Sequence, residues 1–148
     1  MYQHGLIAPV VALVLWSLVM WAWLYATRLP AMRRVGVRPQ EGAFARELNT
    51  KMPAHARQVA DNYNHLMEQP TIFYALCFAL QFMDQTQVWN IGLAWTYVAL
   101  RIVHSLVQAT VNVVILRFAV FMLASLALLA LAIHAAAAVG FISGPSPH

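Results

Sequence analysis

Residues 68–83 read EQPTIFYALCFALQFM, and residues 85–101 read QTQVWNIGLAWTYVALR. Each run holds about fifteen uncharged residues beside a single charge, Glu68 opening the first and Arg101 closing the second. A hydrocarbon core needs roughly twenty residues of apolar helix, so neither run crosses without drawing its charge below the surface. A charge at that depth costs on the order of a few kcal/mol unless paired, and it faces a bundle interior or a polar cavity. Two opposite charges on adjacent spans thus predict a helical membrane bundle and mark where its chemistry lies.

The rest of the chain agrees. Of its 148 residues 61% are hydrophobic and only 9% charged, which describes an integral membrane protein with room for one small domain. We expect an all-α fold, a four-transmembrane-helix antiparallel bundle occupying residues 1–148 as a single domain. The spans fall at about 5–27, 62–83, 88–108 and 113–140, with a loop at about 28–60. Seven of the nine basic residues (Arg28, Arg33, Arg34, Arg38, Arg46, Lys51 and Arg57) lie between the first and second apolar stretches. That asymmetry places the loop in the cytoplasm and both termini outside, as in a multi-pass protein of a bacterial inner membrane. It also explains the high pI without nucleic acid as a partner; membrane lipids are the expected surroundings.

The first stretch lacks a basic flank before it and is too apolar for too long to read as a cleavable signal. Trp16, Trp21, Trp23 and Tyr25 suit the headgroup belt at its inner end. Pro30 is expected to end or turn that helix, and Gly36, Pro39 and Gly42 punctuate the loop. Asn49 or Thr50 is expected to cap the next helix, with Pro53 in its first turn. The tail from Phe141, with Gly144, Pro145 and Pro147, reads as disordered.

Helical spacing gathers the polar residues. Arg57, Asp61, Asn64, His65 and Glu68 follow in steps that put them on one face of the second helix, and Arg101, His104 and Gln108 do the same on the third. At a rise of about 1.5 Å per residue, Glu68 and Arg101 both lie about 10 Å below the cytoplasmic surface, so an ion pair between them is expected. Asn112 and Arg117 follow at the start of the fourth helix. Together these residues outline a cationic, hydrogen-bonding pocket walled by apolar helices and open to the cytoplasm. It suits a small soluble anion presented to a lipid-soluble molecule. A pair that only holds two helices in register is the plainer reading.

Other motifs carry less. His65 and His104 form one possible axial pair, but no second membrane Glu completes a carboxylate metal site, and no metal is expected. Cys77 lies mid-span among apolar neighbours, where a thiol is inert. Phe73, Phe78, Phe82, Phe118 and Phe121 read as packing or lipid-facing residues. No nucleophile–base set, phosphate loop or dinucleotide fingerprint is present, so a reaction here needs a nucleophile brought by the substrate.

The run from Ala60 to Tyr74, ADNYNHLMEQPTIFY, resembles the second-helix signature of the MAPEG family, membrane-associated proteins in eicosanoid and glutathione metabolism. Its core is the Glu followed closely by Pro and an aromatic. Arg101-Ile102-Val103-His104, then Gln108, Asn112 and Arg117, resemble that family's third-helix arginine and the polar positions after it. The resemblance is to a bacterial-type member of the kind typified by microsomal glutathione transferases. It implies a homotrimer with glutathione, as co-substrate, held between subunits near the cytoplasmic face. Residues implied to bind glutathione are Arg57, Asn64, His65, Glu68, Arg101, His104 and Gln108; Glu68 would take its amino group. Arg101 and Arg117 are implied to be catalytic, favouring the thiolate. The implied activity is transfer of glutathione to lipophilic electrophiles, or reduction of lipid peroxides. The alternative is a non-catalytic membrane trimer that binds a lipid, a quinone or a partner subunit in the same pocket. Where family enzymes carry an Arg two turns before the Glu and an Asn three residues before it, this chain has Asp61 and His65.

Overall fold

The computed structural model describes residues 5–36 and 50–142. It is all-α: α1 Ile7–Val35, α2 Ala54–Leu66, α3 Gln69–Phe82, α4 Val88–Ala109 and α5 Val114–Ala138. Four helical arms result, with α2 and α3 the two halves of the second. The expected loop residues Arg38, Pro39, Gly42 and Arg46, the proposed cap Asn49 and the tail residues Gly144, Pro145 and Pro147 lie outside the described residues.

The core is assembled by helical periodicity. Leu6, Val10 and Leu13 bury against Phe73, Cys77 and Leu80 of α3, against Ile91, Ala94, Tyr97 and Val98 of α4, and against α5. The α5 contribution, Ala124, Ala127, Leu128, Leu131 and Ala135, is mostly small. Small residues let membrane helices approach closely, where lipid removes the usual hydrophobic drive for association. A second cluster of Met20, Val59, Leu66 and Ala109 joins α1, α2 and α4. By length and composition α1 and α5 can each cross a membrane. Their outward faces carry Leu15, Leu18, Val19, Leu123, Leu126 and Leu129, all exposed.

Three local features differ from the expectations. Pro30 lies inside α1, which runs on to Val35. One missing hydrogen bond is outweighed there, because Ala31 buries against Met52 and Ala56. Arg33 and Arg34 sit in the last turn, where the helix dipole favours cations, and Gly36 closes it in the left-handed conformation at φ 69°. Pro53 stands at the N-cap of α2, beyond the helical residues Thr50 and Lys51, so a helix restarts after it.

The third difference governs the site. The second arm breaks at Met67 and Glu68, the latter at φ −91° and ψ −94°. Pro70 is the cause: it has no N–H for the Leu66 carbonyl, and its ring would press on that carbonyl in a continuous helix. Thr71 stabilises the restart, its hydroxyl donating to the Glu68 carbonyl at 2.6 Å. At the opposite end the Leu6 N–H donates to Gln81 Oε1 at 2.9 Å, tying the start of α1 to the end of α3. Asp84 and Asn112 take positive φ in the two short turns, as those residue types tolerate.

Candidate functional site

The site is built on the broken arm. In an unbroken helix the His65 carbonyl would accept from the Gln69 N–H; at the break it accepts from Arg101 Nη2 instead, at 2.9 Å. The same Nη2 lies 3.3 Å from His65 Nδ1, which accepts when the ring proton is on Nε2. Arg101 therefore caps the C-terminal end of α2, where carbonyls and the helix dipole both attract a cation. Its side chain is 0% exposed, yet Nε and Nη1 have no hydrogen-bond partner. A wholly buried guanidinium with unused donors is an anion site in waiting.

Aromatic groups pack around it. The His65 and His104 rings stack with centroids 5.1 Å apart and planes 19° from parallel. Phe121 of α5 meets His65 edge-on at 5.2 Å, and the Arg101 guanidinium carbon lies 5.9 Å from the Phe121 ring centre. His65, His104, Val114, Arg117, Phe118 and Phe121 line a cavity of about 200 Å³. Arg117 is aimed by its own turn: Nη1 donates to Asn112 Oδ1 at 2.6 Å, while Nε is buried without a partner. So His65, Arg101, His104 and Arg117, four of the expected site residues, converge.

The remaining four do not join them within one chain. The expected Glu68–Arg101 ion pair is absent among the described residues: Glu68 is exposed, on the same outward stripe as Asp61 and Asn64, while Arg101 is buried and bonded to His65. Asn64 and Arg57 are exposed too. Arg57 lines a separate cavity of about 170 Å³ with Asp61 and Asn112. Gln108 is buried, its Oε1 without a partner. No group of three or more metal-ligating side chains occurs among the described residues.

Two supporting contacts escaped the reading of the sequence. Asn62 and Ser105 form a buried reciprocal pair, Asn62 Nδ2 donating to Ser105 Oγ at 2.8 Å and Ser105 Oγ donating to Asn62 Oδ1 at 3.0 Å. On the other side of Arg101, Tyr97 donates to Gln69 Oε1 at 3.3 Å, and Gln69 Nε2 donates to Ser125 Oγ at 2.9 Å. The signal was there: Tyr97 and Ser105 stand one turn before and one turn after Arg101, on the same face.

Among known families, the one described as the MAPEG family matches residues 6–137. No curated protein and no solved structure matches.

Proposed function

The chain belongs to the MAPEG family and is an integral membrane protein, and on that premise we propose that it binds glutathione and delivers its sulfur to lipophilic molecules held in the bilayer. The observation that carries this reading is Arg101, fully buried with Nε and Nη1 unpartnered beside the His65–His104–Arg117 cavity. Glutathione is multiply anionic and brings its own nucleophile, which suits a site rich in cations and lacking a protein nucleophile. In this scheme Arg101 takes a carboxylate or the sulfur, and Arg117 favours the thiolate. Attack on an electrophilic carbon forms a C–S bond and expels the leaving group. With a lipid hydroperoxide, two glutathiones give the alcohol, water and glutathione disulfide.

The site is completed by neighbours in a homotrimer. Arg57, Asp61, Asn64 and Glu68 form an exposed polar stripe along the second arm. At membrane depth a stripe carrying Glu68 belongs against protein, not lipid. In the trimer Glu68 meets the glutathione amino group across the subunit boundary, and Asn64, His65, His104, Gln108 and Arg57 contribute polar contacts. The basic loop then faces the cytoplasm and both termini face outward, an arrangement like that of a bacterial-type microsomal glutathione transferase.

Thermal unfolding in detergent tests the binding step. Glutathione at a hundred times its dissociation constant adds about 2.7 kcal/mol to a protein that binds it only when folded. No shift at millimolar glutathione, with the trimer intact by size-exclusion chromatography, would remove glutathione from the scheme.

A further inference from the structure

A further cavity lies between α1 and the start of α2, at the end of α2 opposite to His65 and the Arg101 cavity. Ala26, Thr27, Pro30 and Arg34 line it with Pro53 and His55, enclosing about 290 Å³. That is roughly twenty times the ~15 Å³ that a single water requires, so a polar headgroup fits.

Its depth follows from the length of α1. The helix has 29 residues, and roughly twenty of them suffice for the hydrocarbon core. Counting from Ile7, that allowance runs out at about Ala26, where the cavity begins. Trp21 and Tyr25, packed edge to face at 5.1 Å, stand just before it, and such rings sit at headgroup level. The cavity is thus level with the phospholipid headgroups.

Its chemistry is that of an anion acceptor with one hydrogen-bond acceptor added. Arg34 supplies a cation and His55 a ring donor, and among the described residues no carboxylate lines the cavity. Arg28 and Arg33 reinforce the charge at the same end of α1. Because residue 30 is proline, the Ala26 carbonyl lacks the N–H four residues on that a helix provides. Thr27 is already committed, its hydroxyl donating to Trp23 and Leu24 carbonyls at 2.9 and 3.1 Å. The walls at Ala26, Pro30 and Ala31 are apolar and adjoin the exposed Leu29, so acyl chains have a surface to follow.

We propose that this cavity binds the headgroup of an anionic phospholipid, its phosphate against Arg34 and His55 and a headgroup hydroxyl donating to the Ala26 carbonyl. Phosphatidylglycerol has both groups. Basic pockets between helices at a membrane surface recognise anionic headgroups by this chemistry.

The test titrates the purified full-length protein in neutral detergent with dihexanoyl phosphatidylglycerol, dihexanoyl phosphatidylcholine or inorganic phosphate, reading the unfolding midpoint. Phosphatidylglycerol is expected to raise the midpoint saturably, and the other two are not. Arg34→Gln should weaken that response at least tenfold, His55→Gln about threefold, and Arg33→Gln, the same loss of charge outside the cavity, less than twofold. Equal losses in Arg33→Gln and Arg34→Gln would reduce the effect to general surface charge and overturn the site. So would an equal response to phosphatidylcholine, protection by inorganic phosphate at similar concentrations, or an unchanged response in His55→Gln. Because His55 is exposed in the first turn of α2, its replacement leaves the fold intact if Arg34→Gln does not yield folded protein.

Discussion

Arg101 is held by the main-chain oxygen of His65, not by the carboxylate of Glu68 three residues further on. The guanidinium thereby keeps its position while two of its nitrogens remain unused. An internal salt bridge would have spent that charge on the protein itself. Capping a helix end orients the cation and leaves it available.

Arg101→Met should therefore cost the ligand-free protein little. It strands the His65 carbonyl, worth about 1–3 kcal/mol, but it also removes a buried charge with unmet donors. We expect a net change within about 2 kcal/mol, together with loss of the glutathione-induced thermal shift. Wild-type protection in this variant would exclude Arg101 from the ligand.

Pro70→Ala should restore an N–H to the Leu66 carbonyl and favour one continuous helix through residues 66–70. The His65 carbonyl would then be reclaimed by the Gln69 N–H, and Arg101 would lose its cap. Slower amide exchange at Gln69, with about tenfold weaker glutathione binding, is the expected pair of results, the latter equivalent to about 1.4 kcal/mol. Faster exchange there would show that Pro70 does not cause the break.

Asn62→Ala leaves the Ser105 hydroxyl buried without its partner and should cost about 1–3 kcal/mol. Adding Ser105→Ala should recover part of that loss. A double-mutant cycle read by unfolding in mixed micelles is expected to give a coupling of about 1 kcal/mol, and a coupling of zero would mean the pair does not form.

Thiolate formation separates catalysis from mere binding. Glutathione added to the protein at neutral pH should produce near-ultraviolet thiolate absorbance that free glutathione, with a thiol near its ordinary pKa of about 8.5, barely shows. Arg101→Gln with Arg117→Gln should abolish it while the size-exclusion profile stays that of the unmodified protein. Binding without any such absorbance in the unmodified protein would favour the non-catalytic alternative.

The apolar runs made the helical membrane fold legible in the sequence, because burial of charge has few solutions in lipid. Periodicity also placed Arg57, Asp61, Asn64, His65 and Glu68 on one stripe, and in the structure all of these but His65 are exposed. Spacing does not say what a stripe faces, and so the Glu68–Arg101 pair was misjudged. His65 lies at the inner edge of that stripe and reaches Arg101, whereas Glu68 lies at its exposed centre. Extension of α1 beyond Pro30 was hidden for a related reason: its support comes from Met52 and Ala56, well ahead in the chain. Ser105 and Tyr97 were readable as neighbours of Arg101 by spacing, but their partners Asn62 and Gln69 were set by how the helices dock.

The link from the Leu6 N–H to Gln81 bears on how the chain is made. The donor and acceptor are 75 residues apart, so α1 leaves the ribosome and enters the bilayer well before its first amide can find this oxygen. Until α3 has followed, the Leu6 N–H lacks this acceptor. Gly5 sharpens the condition: it adopts φ 45°, and a Cβ there would stand against the Gln81 carboxamide oxygen. The bond that pins the start of α1 to α3 can thus form only after Gln81 has been translated, late relative to the insertion of the first helix.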